Sequence, residues 1–78
     1  MPEIDQRLTR CFASVFPDLP PEQIPGASVE SMPDWDSLAA VTLVAVLEQE
    51  FDIEIDLMEL PELNSYGAVR SYLLKQLN

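Results

Sequence analysis

The sequence predicts an all-α fold, a small four-helix bundle of three main helices and one short one with a long first connection. Three observations carry that expectation. Apolar residues recur at helical spacing in three separate segments. The only alternating segment, "FDIEIDL", finds no second alternating segment to pair with. The chain is 78 residues long, enough for one domain and too short for two, so residues 1–78 are expected to form a single domain. A hydrophobic content of 47% argues for a folded core in spite of the net charge of −10.

The first helix is written in Ile4, Leu8, Cys11, Phe12 and Val15, which form one apolar stripe. Pro17 and the stretch "PDLPPEQIPG" stop it and impose an extended connection, because proline removes a backbone donor and disfavours helical geometry before it. Leu19, Ile24 and Val29 are expected to pin this connection to the core. The second helix should start near Asp34 to Asp36, both good N-caps whose charge suits the positive end of a helix dipole. Ala40, Leu43, Val44, Leu47 and Phe51 make its core arc. Leu38, Val41 and Ala45 form an adjacent apolar arc beside Ser37 and Glu48, more than one buried face requires. That excess fits a central helix, a docking surface, or both.

In "FDIEIDL" an unpaired strand would leave backbone groups unsatisfied, so the segment is expected to be an extended loop that lays Ile53 and Ile55 on the core. A short helical turn over Leu57 to Leu60 should follow and stop near Pro61. The last helix opens at Asn64 or Ser65 and carries Tyr66, Val69, Leu73 and Leu77 on one face.

Charge narrows the function classes. The basic residues are Arg7, Arg10, Arg70 and Lys75, and all but Glu3 and Asp5 of the 14 acidic residues lie between Cys11 and Val69. Such a surface repels nucleic acid and anionic lipid and attracts basic protein surfaces, with salt weakening the attraction. No apolar run approaches the roughly 18 residues of a membrane span. The polar start "MPEIDQRLTR" does not resemble a signal peptide, and the single cysteine fits a reducing compartment. A cytoplasmic monomer is the expectation.

Ser37, between Asp36 and Leu38, is an odd residue to find at the mouth of so apolar a helix. As a nucleophile it would need a base, and the chain has no histidine and no lysine but Lys75 near the far end. An enzyme is therefore not expected. Asp34 and Asp36 begin like a calcium loop but lack its glycine and terminal glutamate, so no metal site is expected. A hydroxyl at a helix start can instead be a substrate, since an attached anion would lie near partly positive backbone amides. The plainer alternative is a simple first-turn or capping serine.

The stretch "DWDSLAAVTLVAVLEQEFDIEI", with "PGASVESM" before it and "SYL" near the end, resembles the acyl carrier proteins and the wider phosphopantetheine-attachment family over essentially the whole chain. The resemblance implies that a phosphopantetheinyl transferase, using coenzyme A and magnesium, attaches 4′-phosphopantetheine covalently to Ser37. Asp36 would assist recognition beside it. Leu38, Val41, Ala45 and Glu48 would dock partners, namely acyl-loading and acyl-using enzymes with basic docking surfaces. Ala39, Thr42 and "MPDW" depart from the fatty-acid-synthesis type and suggest a specialised discrete carrier. Trp35 is expected to cover a loop gap, the alternative being packing against the arm. An aminoacyl or peptidyl carrier and a cofactor-free acidic helical adaptor are the alternative functions. Leu43, Leu47, Phe51, Ile55 and Tyr66 either shelter an acyl chain or close a solid core.

Overall fold

A computed structural model describes residues 2–77; Met1 and Asn78, the ends of the expected 1–78 domain, lie outside the described residues. The elements run α1 (Pro2–Val15), a 3-10 helix (Pro21–Gly26), α2 (Ser37–Phe51), a second 3-10 helix (Leu57–Glu62) and α3 (Tyr66–Leu77). The all-α bundle is as expected, with one short helix more than the sequence implied. No strand occurs among the described residues; a lone antiparallel bridge joins Ser28 to Ser65. No described helix is long and apolar enough to cross a membrane.

The three long helices share one core. Leu8, Cys11, Phe12 and Phe16 enter it from α1 and its exit, Leu43, Val44, Leu47 and Phe51 from α2, and Tyr66, Val69 and Leu73 from α3. Phe12 is the hub: its ring lies 5.4 Å from Trp35 edge-on, 5.3 Å from Tyr66 and 6.2 Å from Phe16, spacings at which aromatic rings attract. Leu77 departs from the expected α3 face and is exposed, because the helix end runs past the layer it packs on. Leu43, Leu47, Phe51, Ile55 and Tyr66 are all buried in this closed core.

The first connection is tied down differently from the expectation. Ile24 is fully buried as predicted, but it sits in the 3-10 helix, where Pro21 is tolerated because the first amides of a helix need no internal partner. Val29 is exposed and Ala27 takes the buried place. The backbone explains the swap: Val29 N–H donates to the Asn64 carbonyl at 2.9 Å and Tyr66 N–H donates to the Ala27 carbonyl at 2.9 Å. These bonds clamp the connection against the start of α3 and turn the Val29 side chain outward.

Two arginines tie α1 to its neighbours. Arg7 Nε donates to Glu50 Oε2 at 2.7 Å, a second guanidinium nitrogen bonds the Glu50 carbonyl, and the guanidinium lies over the Phe51 ring. Arg70 Nε donates to Asp5 Oδ1 at 2.6 Å, and this bond, with the positive charge, holds the Asp5 carboxyl below its usual range. Cys11 is buried within α1, and burial, aided by the Glu50 charge, pushes its thiol up to about 11.

α2 ends on Asp52, whose φ of 54° is left-handed, and Ile53 N–H returns to the Glu48 carbonyl at 3.2 Å. Glycine is the residue best suited to that position. Asp52→Gly is accordingly expected to stabilise the fold by about 0.5–1 kcal/mol, read as a higher urea midpoint. An unchanged or lower midpoint would show that the Asp52 side chain compensates its own backbone.

Candidate functional site

The start of α2 is built by a series of local bonds. Trp35 N–H donates to the Met32 carbonyl at 3.0 Å, closing a turn through Pro33 and Asp34 that delivers the chain to the helix. Asp36 is the N-cap, in extended geometry, and its Oδ1 accepts from Ala39 N–H at 2.9 Å. Ser37 is the first helical residue and is exposed. Among the described residues no protein group is hydrogen bonded to its hydroxyl.

The other serines are placed differently. The Ser28 and Ser31 hydroxyls bond each other at 3.1 Å, and Ser65 Oγ caps α3 by accepting from Ala68 N–H at 3.1 Å. Ser14 is exposed but lies in the last turn of α1, where the helix dipole opposes negative charge. Ser71 is exposed in the middle of α3. Ser37 alone among these combines exposure, an unengaged hydroxyl and a helix N-terminus.

Ser37 stands at the lip of an open groove of about 500 Å³. The connection contributes Val29 and Trp35, α2 contributes Ala40 and Val41, and the second 3-10 helix and its exit contribute Leu60 and Leu63. A second groove of about 430 Å³ lies across the turn, between Phe16, Leu19, Met32 and Asp34. The ring of Trp35, which lines the groove at Ser37, lies 5.6 Å from the ring of Phe16, which lines the second. Neither groove is lined by the core residues Leu43, Leu47, Phe51, Ile55 or Tyr66.

Leu38 is 76% exposed and Val41 46%, and Ala45 one turn further on is exposed too. Glu48 is half-buried, and its Oε2 accepts from Ile55 N–H at 2.8 Å, so it anchors the "FDIEIDL" loop as well as edging this face. As expected, that loop is extended, with Ile55 buried and Ile53 half-buried. Sequence reasoning missed Leu57 and Met58, exposed on the second 3-10 helix, which packs on α2. Their signal was present, because two consecutive apolar residues break the alternation of "FDIEIDL" where it ends.

The electrostatics are uniformly acidic. The neighbouring Glu62 carboxyl, with partial burial, raises the Glu59 carboxyl above the ordinary range. Burial, and then the charges of Glu59, Asp56 and Glu48, raise the Tyr72 phenol. No three acidic or cysteine side chains among the described residues converge as a metal cluster would require.

Comparison with known families matches residues 6–73, most of the chain, to the family described as "Phosphopantetheine attachment site". No curated protein and no solved structure is significantly similar to the chain. Members of the matched family bear a covalently attached 4′-phosphopantetheine as their prosthetic group. The protein belongs to this phosphopantetheine-attachment family and is a carrier protein.

Proposed function

We propose that the chain is a single-domain acyl carrier whose prosthetic arm is attached to Ser37. The observation that carries this reading is the free, exposed hydroxyl at the first residue of α2, beside an apolar groove. The residues present fit the group: a phosphodiester on Ser37 would sit at the positive end of the α2 dipole, where the Ser37 and Leu38 amides have no helical partner while Asp36 takes those of Ala39 and Ala40. When bound, the arm supplies a thiol that carries cargo as a thioester.

The protein's own residues have simpler tasks. Asp36 holds the helix start in place through its bond to Ala39 N–H and, exposed as the residue before Ser37, is a carboxylate that a modifying transferase would meet there. With no histidine in the chain, the Ser37 proton passes to a base of the transferase or to solvent. Leu38, Val41 and Ala45 offer partners an apolar strip, and Glu48 stands at its far end. The carboxylates around this strip speed encounter with basic docking surfaces of the transferase and of acyl-loading and acyl-using enzymes. The acyl cargo is what the likeness of the α2 stretch to acyl carrier proteins implies.

The test is an intact-mass measurement after incubation with a promiscuous phosphopantetheinyl transferase, coenzyme A and magnesium. The wild type is expected to gain one phosphopantetheine and Ser37→Ala none, with equal helical circular dichroism. Gain by Ser37→Ala, or no gain by folded wild type across several transferases, would overturn the assignment. Cargo is then read by mass spectrometry of the carrier purified from its host, where an amino acid on the arm would replace acyl by aminoacyl.

A further inference from the structure

The second groove, about 430 Å³ between the exit of α1 and the turn before α2, has no part in carrying the arm on Ser37. Phe16, Leu19, Met32 and Pro33 give it an apolar lining, and Asp18 and Asp34 line it too. Its shape is set without a ligand. Leu19 N–H donates to the Phe16 carbonyl at 3.1 Å and Trp35 N–H to the Met32 carbonyl at 3.0 Å, and Pro17, Pro20 and Pro33 restrict the backbone around these bonds. A preformed groove costs its occupant little ordering. Asp18 and Asp34 are exposed, and among the described residues neither is ion-paired or hydrogen bonded through its side chain. The chain's own cations do not serve them: Arg7 and Arg70 are engaged by Glu50 and Asp5, and neither Arg10 nor Lys75 lines the groove.

We infer that this groove is a docking point apart from the α2 strip, and that it takes an arginine or lysine side chain of the transferase that modifies Ser37. The inference rests on the assignment of Ser37 as the attachment point. Such a side chain has both halves that the groove matches, an aliphatic stem for Leu19, Met32 and Pro33 and a cationic head for Asp18 and Asp34. A second copy of this chain is repelled by its own net charge of −10. An uncharged occupant would make no use of the two carboxylates. The position suits a partner at Ser37, because Asp34 precedes the serine by one turn of chain and Ala39, just after it on α2, also lines the groove. Leu38, Val41 and Ala45 run along a single helix, so contacts with them alone leave a partner free to roll about its axis. A charged contact off that axis fixes the angle at which Ser37 is presented.

The probe is n-butylguanidinium, titrated into isotope-labelled carrier and followed by amide and methyl correlation spectra, with guanidinium alone and n-butanol alone as controls. It should move the Leu19 and Met32 methyls and the Ala39 amide and saturate on the order of 10 mM, as ordinary ligand efficiency gives a group of about eight heavy atoms. Each control should bind about fivefold more weakly, and so should the probe to Asp18→Asn combined with Asp34→Asn, whose melting temperature should be unchanged because both residues are exposed. With the host's own transferase this double variant should raise KM about fivefold at constant kcat. Glu3→Gln combined with Glu54→Gln removes equal charge outside the groove and should leave KM nearly unchanged. Shifts spread over the acidic surface, equal binding of guanidinium alone, or equal KM changes in the two double variants would reduce the effect to diffuse attraction and overturn the docking point. Equal binding of n-butanol would make the occupant apolar and overturn it as well. A carrier that gains the arm but binds no probe in the groove loses this docking point alone. One that binds the probe but gains no arm from any transferase loses the assignment of Ser37, and the docking point with it.

Discussion

Phe12→Ala is expected to bring the protein to the edge of unfolding. The ring is fully buried and touches Phe16 from the exit of α1, Trp35 from the turn before α2, and Tyr66 from α3. Truncating a buried phenylalanine costs about 3–5 kcal/mol, part from lost transfer energy and part from the cavity left behind. A domain of this size has only about 4–12 kcal/mol in total. The urea midpoint should therefore fall by a quarter or more, and the tryptophan emission should move to the red as Trp35 loses its edge contact. Phe12→Leu, which leaves a smaller void, should lie between. A midpoint within error of the wild type would show that the aromatic cluster relaxes around the loss and that Phe12 is not its hub.

The second large effect concerns partners rather than folding. Replacing Leu38 and Val41 together by alanine removes the most exposed apolar side chains of the α2 strip. If partners bury them, the loss should lower kcat/KM for the transferase by about 10- to 100-fold, from the ~1.5–3 kcal/mol a buried aliphatic side chain contributes. Alanine is the better helix former, so α2 and the melting temperature should be preserved. Added salt should weaken association of both forms, because the acidic surround acts by steering. An unchanged kcat/KM in the folded double variant would remove this strip from the docking surface.

The parts of the molecule that were legible in the sequence were those set by local spacing. The stripe Leu8, Cys11, Phe12 and the arc Leu43, Val44, Leu47, Phe51 are buried because a helical period places them on one side, and the period is visible without a partner. Asp36 and Ser65 were readable as caps because capping is a bond within four residues. The illegible parts depend on distant strands of chain. Val29 has the composition of a core residue, but its backbone is bonded to Asn64, and that bond decides which way its side chain points. Leu60 and Leu63 reach the groove at Ser37 from the far side of the "FDIEIDL" loop, a meeting no spacing announces. The 3-10 helix at Pro21–Gly26 was hidden by its prolines, which signal an extended path and are equally at home in the first turn of a helix. Glu48 has a second task, holding Ile55 N–H, that only the folded loop creates.

Cys11 is the sole sulfur nucleophile among the protein's own residues, and the fold takes it out of circulation. With its acidity moved to about 11, only about one molecule in a thousand would hold the thiolate at pH 8, and that one is shielded by packing. Thioesters exchange readily with accessible thiolates, so an open cysteine in the same molecule would be a drain into which cargo slips. Here the leak is closed from within. A colorimetric sulfhydryl count on native protein should consequently read the loading state directly: near zero without the arm, one with it, and near zero again once the arm is acylated.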